Sequence, residues 1–253
     1  MLFRSVLRRN GHYYTQSQLS QVLRGNQNLR QLYFKADGLP LAADSEGLAP
    51  VLLPHLVDLQ LCGTNEVIDG FVGLICMSSP LHRITIHFQH HYFQQTASLV
   101  NTAQKFLTAY YECKEPERRC KVSHLTVSSH TGTISAKDHP THPTYSLELQ
   151  FRNNKDDFFQ AITPFFPLGH VYDCTAVGLD LAIDFWRGIL LRMESLSHLQ
   201  LRDMDTESVL DALNPDDGGA FRESIPTIVF NHSQSYNQSR SNSYARVEIA
   251  DVR

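Results

Sequence analysis

Nine residues from Leu53 to Leu61 read Leu-Pro-His-Leu-Val-Asp-Leu-Gln-Leu, and their spacing limits what this chain can fold into. Residues two apart on an extended backbone share a face, so Leu59 and Leu61 point the same way while Asp58 and Gln60 point the other. Leu53 and Leu56 lie just ahead and turn inward. The spacing returns at Met193, Leu196, Leu199 and Leu201. A strand this short cannot bury its apolar side alone, so the pattern implies a unit that stacks on neighbours of its own kind.

Taken in order, the chain repeats strand and helix. Leu19, Val22 and Leu23 predict a helix over Ser17 to Arg24, and Leu29, Leu32 and Phe34 restate the strand. Asp37 to Pro50 reads as a loop. A helix capped by Thr64 or Asn65 runs to Met77 with Ile75 on its apolar face. Strict alternation marks a strand over Arg83 to Phe88, and a continuous apolar stripe marks a helix over Thr96 to Glu112. Val122 to Val127 is a strand, and Ser128 to Thr144, rich in Pro, His and hydroxyl residues, is a loop. Tyr145 to Phe151 is a strand and Asp156 to Ile162 a short helix. Val171 to Leu179 forms a strand of open register. Asp180 to Met193 is a helix with Phe185, Trp186, Ile189 and Leu190 facing inward. A strand over Leu196 to Leu201, a helix over Thr206 to Leu213 and a strand over Thr227 to Phe230 complete the folded region. Ser, Asn and Gln make up ten of the fourteen residues from Asn231 to Tyr244, a composition that cannot bury a core. Ala245 to Val252 reads as an edge strand or a frayed end.

The anchors Leu32, Leu59, Ile84, Leu125, Leu147 and Leu199 are separated by 27, 25, 41, 22 and 52 residues. The long Thr96 helix accounts for the 41, and a strand in Val171 to Leu179 halves the 52. Most intervals then fall in the range of about 20–29 that leucine-rich repeats use. Helical connections require parallel strands. Alternating apolar and polar residues require one sheet face to meet water, whereas a doubly covered parallel sheet reads as unbroken apolar runs. The expected fold is therefore α/β: a leucine-rich-repeat-like solenoid with a curved parallel sheet, helices on its outer face and irregular repeats. It occupies residues 1–230, followed by a polar, flexible tail over 231–253.

The phrases Leu53-Pro-His-Leu-Val-Asp-Leu-Gln-Leu-Cys-Gly and Phe185-Trp-Arg-Gly-Ile-Leu-Leu-Arg-Met-Glu-Ser-Leu-Ser-His-Leu-Gln-Leu resemble the repeat region of fungal F-box/leucine-rich-repeat proteins over residues 17–230. The resemblance implies a substrate-recognition surface of a ubiquitin-ligase subunit. It also implies an F-box that docks the Skp adaptor, but Leu39-Pro40 leads into Leu-Ala-Ala-Asp-Ser-Glu-Gly and Leu53-Pro54 into a repeat strand. An F-box bundle needs roughly forty residues to bury a core. Direct Skp adaptor binding is accordingly not expected.

The strand residues that face away from the core form the candidate binding surface. They are Gln31 and Tyr33; Asp58 and Gln60; Arg83, Thr85 and His87; His124 and Thr126; Glu148 and Gln150; His198 and Gln200. Arrayed on a concave face, they predict a non-enzymatic scaffold for a protein partner. Residues 1–36 hold six basic side chains and no acid within a chain of net charge -4, so the acidic excess lies elsewhere and matches no nucleic-acid surface. No apolar run is long enough to span a membrane. Five dispersed cysteines without a close pair suggest reduced thiols in a cytoplasmic or nuclear protein. The acid-free, Arg-containing start makes a mitochondrial leader the lesser alternative.

The rival reading is a metal-dependent or hydrolase-like enzyme using the His-rich segments around His87, His90 and His91 or His139 and His142, or a nucleophile such as Cys174 near His170 and Asp173. Metal ligands must converge at about 2.0–2.1 Å, which extended backbone before His90 disfavours. No phosphate loop, dinucleotide fingerprint, zinc-protease helix or nucleophile elbow occurs. No catalytic residue, metal ligand or cofactor is therefore expected.

Overall fold

In the computed structural model the described residues are 15–36, 48–76, 81–89, 96–112, 121–141, 143, 145–151, 155–213, 227–231 and 244–247. The chain divides into two compact units, one of residues 1–120 and 144–154, the other of 121–143 and 155–253. Each is α/β with a mostly parallel sheet. Six α-helices occur among the described residues.

The first unit opens with helix α1 (Gln16–Arg24), started by a reciprocal cap in which Thr15 Oγ1 accepts from Gln18 N and Gln18 Oε1 accepts from Thr15 N. Its sheet runs in the order β1 (Gln31–Lys35), β3 (Asp58–Gly63), β5 (Arg83–Phe88) and β8 (Ser146–Gln150), all parallel. The register aligns Leu32, Leu59, Ile84 and Leu147 in one row and Phe34, Leu61, Ile86 and Leu149 in the next, every one of them buried. Helices α2 (Asn65–Leu74) and α3 (Thr96–Glu112) supply Phe71, Phe106 and Leu107 to the core, and Phe34 stacks on Phe71 with ring centroids 5.0 Å apart. That contact places α2 over the apolar face of the sheet.

In the first unit β3 and β5 are registered on their neighbours by the same device. The Arg30 carbonyl accepts from both Val57 N and Asp58 N at 2.8 and 3.1 Å, and the Val57 carbonyl accepts from His82 N and Arg83 N at the same distances. The second unit repeats it: Ser123 O accepts from Tyr172 N and Asp173 N, and Tyr172 O from Ser197 N and His198 N.

The second sheet orders β7 (Thr133–Lys137), β6 (His124–Ser128), β9 (Asp173–Val177), β10 (His198–Arg202), β11 (Thr227–Asn231) and β12 (Tyr244–Val247). Strands β6, β9, β10 and β11 are parallel, whereas β7 and β12 are antiparallel to their neighbours. Helices α4 (Lys155–Ile162), α5 (Ile183–Arg192) and α6 (Glu207–Leu213) bring Phe158, Phe159, Trp186, Ile189 and Val209 into the core. Strand β9 presents only Cys174 and Ala176 to that core, and these small side chains leave a narrow apolar cavity beside Trp186, Phe159 and Val127.

Four expectations are corrected. Thr133–Lys137 is a strand within the expected loop, because Ile134 and Ala136 alternate inward and Gly132, at φ +63°, closes the turn from β6. The expected uniformly parallel sheet is thereby mixed, and β8 follows β5 although β6 and β7 intervene in sequence. Helix α2 ends at Leu74, not Met77, since Ile75 and Cys76 form a two-residue strand (β4) parallel to Val51–Leu52 (β2). Phe185 is half-buried, packed edge-on against Trp186.

Candidate interaction surface

Nine of the thirteen sequence-predicted surface residues lie on the polar face of the first unit's sheet, where parallel register converts sequence alternation into rungs. The first rung is Gln31, Asp58, Arg83 and Ser146; the second is Tyr33, Gln60, Thr85 and Glu148; the third is Lys35, Cys62, His87 and Gln150. Gln31 and Arg83 are exposed and the others half-buried. The rungs therefore gather Gln31, Tyr33, Asp58, Gln60, Arg83, Thr85, His87, Glu148 and Gln150, and they add Lys35, Cys62 and Ser146, which belong to the same face by the same alternation.

Several side-chain contacts lie on this face. Arg83 Nη1 lies 4.0 Å from Asp58 Oδ2, Gln150 donates to Glu148 Oε1, and Gln89 Nε2 reaches Cys62 Sγ at 3.3 Å. Asp58 Oδ1 is buried with no hydrogen-bond partner. A long ion pair and an unsatisfied carboxylate oxygen stabilise little.

The other four residues lie in the second unit, on rungs His124, Asp173, His198 and Thr126, Thr175, Gln200. Thr126 and His198 are exposed, Gln200 is half-buried, and Thr175 Oγ1 sits 3.5 Å from Gln200 Oε1. His124 departs from the expected free surface: it is only 9% exposed. Tyr172 packs edge-on over its ring with centroids 4.5 Å apart. Ser123 Oγ donates its single proton to the Asp138 carbonyl, so its 2.8 Å contact with His124 Nδ1 is an N–H donating to the hydroxyl oxygen. Nε2 is then the acceptor for the Tyr172 hydroxyl at 2.7 Å. Burial lowers the His124 pKa from its ordinary value and outweighs the opposing pull of Asp173; His139 and Lys137 push the same way as burial.

The residues nominated for chemistry are dispersed. His87 lies on β5, His139 is exposed in a bend, and His90, His91 and His142 fall outside the described residues. Among the described residues no group of three His, Cys, Asp or Glu side chains could hold a metal ion. Cys174 is buried and burial pushes its thiol up to about 12, so it is protonated at neutral pH; His170 is exposed. Among the described residues no helix is long and apolar enough to cross a membrane.

Comparison with known proteins finds no family model that matches the chain, no similar curated protein and no matching solved structure. The surface must be interpreted from its own chemistry. Sequence reasoning did not place Asp173 and Thr175 on this face, nor Lys35, Cys62 and Ser146 on that of the first unit; for the former pair the one usable signal was the alternation Asp-Cys-Thr-Ala-Val, which fixes their face once Cys174 and Ala176 are taken as the core positions.

Proposed function

We propose that the chain is a non-enzymatic interaction scaffold of leucine-rich-repeat type, resembling the substrate-recognition repeats of F-box proteins, that binds a protein partner on the polar face of its sheet. The observation that carries this reading is the three-rung array of the first unit, in which twelve side chains, most of them polar, lie on one face of four parallel strands, two exposed and ten half-buried. The recurring carbonyl that accepts two N–H groups from the next strand supports equivalence of the repeats. The inserted strand pair β6 and β7 makes those repeats irregular.

A merely solvated face would also be polar. Tyr33 favours binding: an aromatic ring in the middle rung contributes large, rigid contact area, as binding surfaces favour. Affinity capture with the full chain, compared with Tyr33→Ala combined with Gln60→Ala, tests the assignment. The expected result is loss of at least one saturable, reproducible partner at unchanged fold by circular dichroism. Recovery of every specific partner by the double variant would remove this face as the binding surface.

A further inference from the structure

In the second unit the rung Lys137, His124, Asp173, His198 and Thr227 contains a single acid, and its surroundings do not satisfy it. Asp173 is half-buried, and among the described residues no donor bonds its carboxylate. Its two strand neighbours are imidazoles. His124 has both nitrogens occupied, by Ser123 and by Tyr172, and offers Asp173 no proton. His198 copies the first half of that arrangement: Ser197 Oγ donates to the Tyr172 carbonyl at 3.1 Å and lies 2.8 Å from His198 Nδ1. With the serine proton on the Tyr172 carbonyl, Nδ1–H is the donor, and in the neutral tautomer this leaves Nε2 of the exposed ring as an acceptor.

The Asp173 carboxylate and the His198 ring, neighbours on one rung, bring two acceptors side by side. We propose that Asp173 and His198 receive the guanidinium group of an arginine on the protein partner. Two parallel N–H groups of a guanidinium match a carboxylate, and its planar fork has further donors for an acceptor on the next strand, about 4.8 Å away. An ammonium group, a point donor, satisfies the pair less completely. The ring of Tyr172, 38% exposed, adds a surface on which a guanidinium can stack. Lys137 lies two strands away, beyond His124, and does not fill the position.

This inference rests on the reading of the sheet faces as binding surfaces, but its test is separate, because Asp173 and His198 belong to the second unit and Tyr33 and Gln60 to the first. The full chain is titrated with the tripeptide Gly-Arg-Gly while the His198 ring resonances are followed by NMR. Gly-Lys-Gly and Gly-citrulline-Gly, the latter of nearly the same shape without charge, serve as comparisons. A saturable shift is expected with the arginine peptide, weaker by about tenfold or more with citrulline and in Asp173→Asn, as the loss of a charge-assisted pair requires. The lysine peptide falls between them. If Asp173→Asn does not fold, the peptide contrast on the unaltered chain decides alone. No saturable shift, an equal response to citrulline, or full binding by a folded Asp173→Asn would overturn the site. Loss of this site with a successful affinity capture removes the arginine receptor and leaves the first unit's surface standing.

Discussion

Replacing Gly178 with alanine probes how tightly the second unit is held at the carboxyl ends of its strands. Gly178 has φ +63°, a region where a Cβ costs about 1–2 kcal/mol. Its backbone cannot relax freely, because its N–H donates to Arg202 O at 2.8 Å and its carbonyl accepts from Ser129 Oγ. An added Cβ would lie 2.5 Å from His130 Nε2, 2.7 Å from Cδ2 and 2.9 Å from Ser129 Oγ. The exposed imidazole can swing aside, at about 0.5–1.5 kcal/mol for an unfavourable rotamer. Alanine also restricts the unfolded chain and returns about 0.4–1 kcal/mol. The net expectation is a loss of about 1–2.5 kcal/mol in urea denaturation. A double-mutant cycle separates the two causes: His130→Ala should recover the steric part, with a coupling of about 0.5–1.5 kcal/mol, and leave the backbone part untouched. A Gly178→Ala protein as stable as the parent, or zero coupling to His130, would refute the argument.

Two further outcomes follow from the packing. Folding holds the His124 pKa below 6.5, so between the lowered folded value and 6.5 the unfolded chain binds more protons and stability rises with pH. Acidification through that window should weaken the protein, levelling off below the folded value, and His124→Gln should flatten this part of the curve; Tyr172→Phe should cost about 1–2 kcal/mol at neutral pH by leaving Nε2 unpaired. Denaturation from pH 5 to 8 reads both, and an unchanged slope in His124→Gln contradicts the linkage. Leu59→Ala, at a fully buried position, should cost about 2–5 kcal/mol, against about 0.5 for its neighbour Gln60→Ala. Equal losses would reverse the assignment of the two sheet faces.

Local periodicity was legible and pairing was not. Arg83–Phe88 and Thr96–Glu112 match the bounds read from the sequence, because alternation and a helical stripe are each visible within one segment. Thr133–Lys137 escaped notice because Ile134 is its only large apolar residue and prolines follow closely. The placement of β8 beside β5 depends on a partner far away in sequence, about which local composition says nothing. The same limit governs the surface. Alternation located Tyr33, Gln60 and Glu148 correctly on one face, yet the burial of His124 depends on Tyr172, 48 residues distant. Val171 to Leu179 was legible as a strand, but the place of Asp173 on its outer face was not, because Cys174 and Ala176, its inward neighbours, are too small to fix the register.

The passage from β5 to β8 shows how cheaply such an array tolerates interruption. Arg83 meets Asp58 after 25 residues of chain and Ser146 after 63, yet Ser146 N still donates to the His82 carbonyl at 2.8 Å, as His82 N does to Val57 O. Closing the longer connection costs only about 0.8 kcal/mol more in chain entropy, because that cost grows with the logarithm of length. What admits a segment to the array is a fitting edge for an open carbonyl, not its place in line. A genetic insertion between two strands can therefore bring in a hairpin and a helix of its own while the next strand docks as if nothing had intervened.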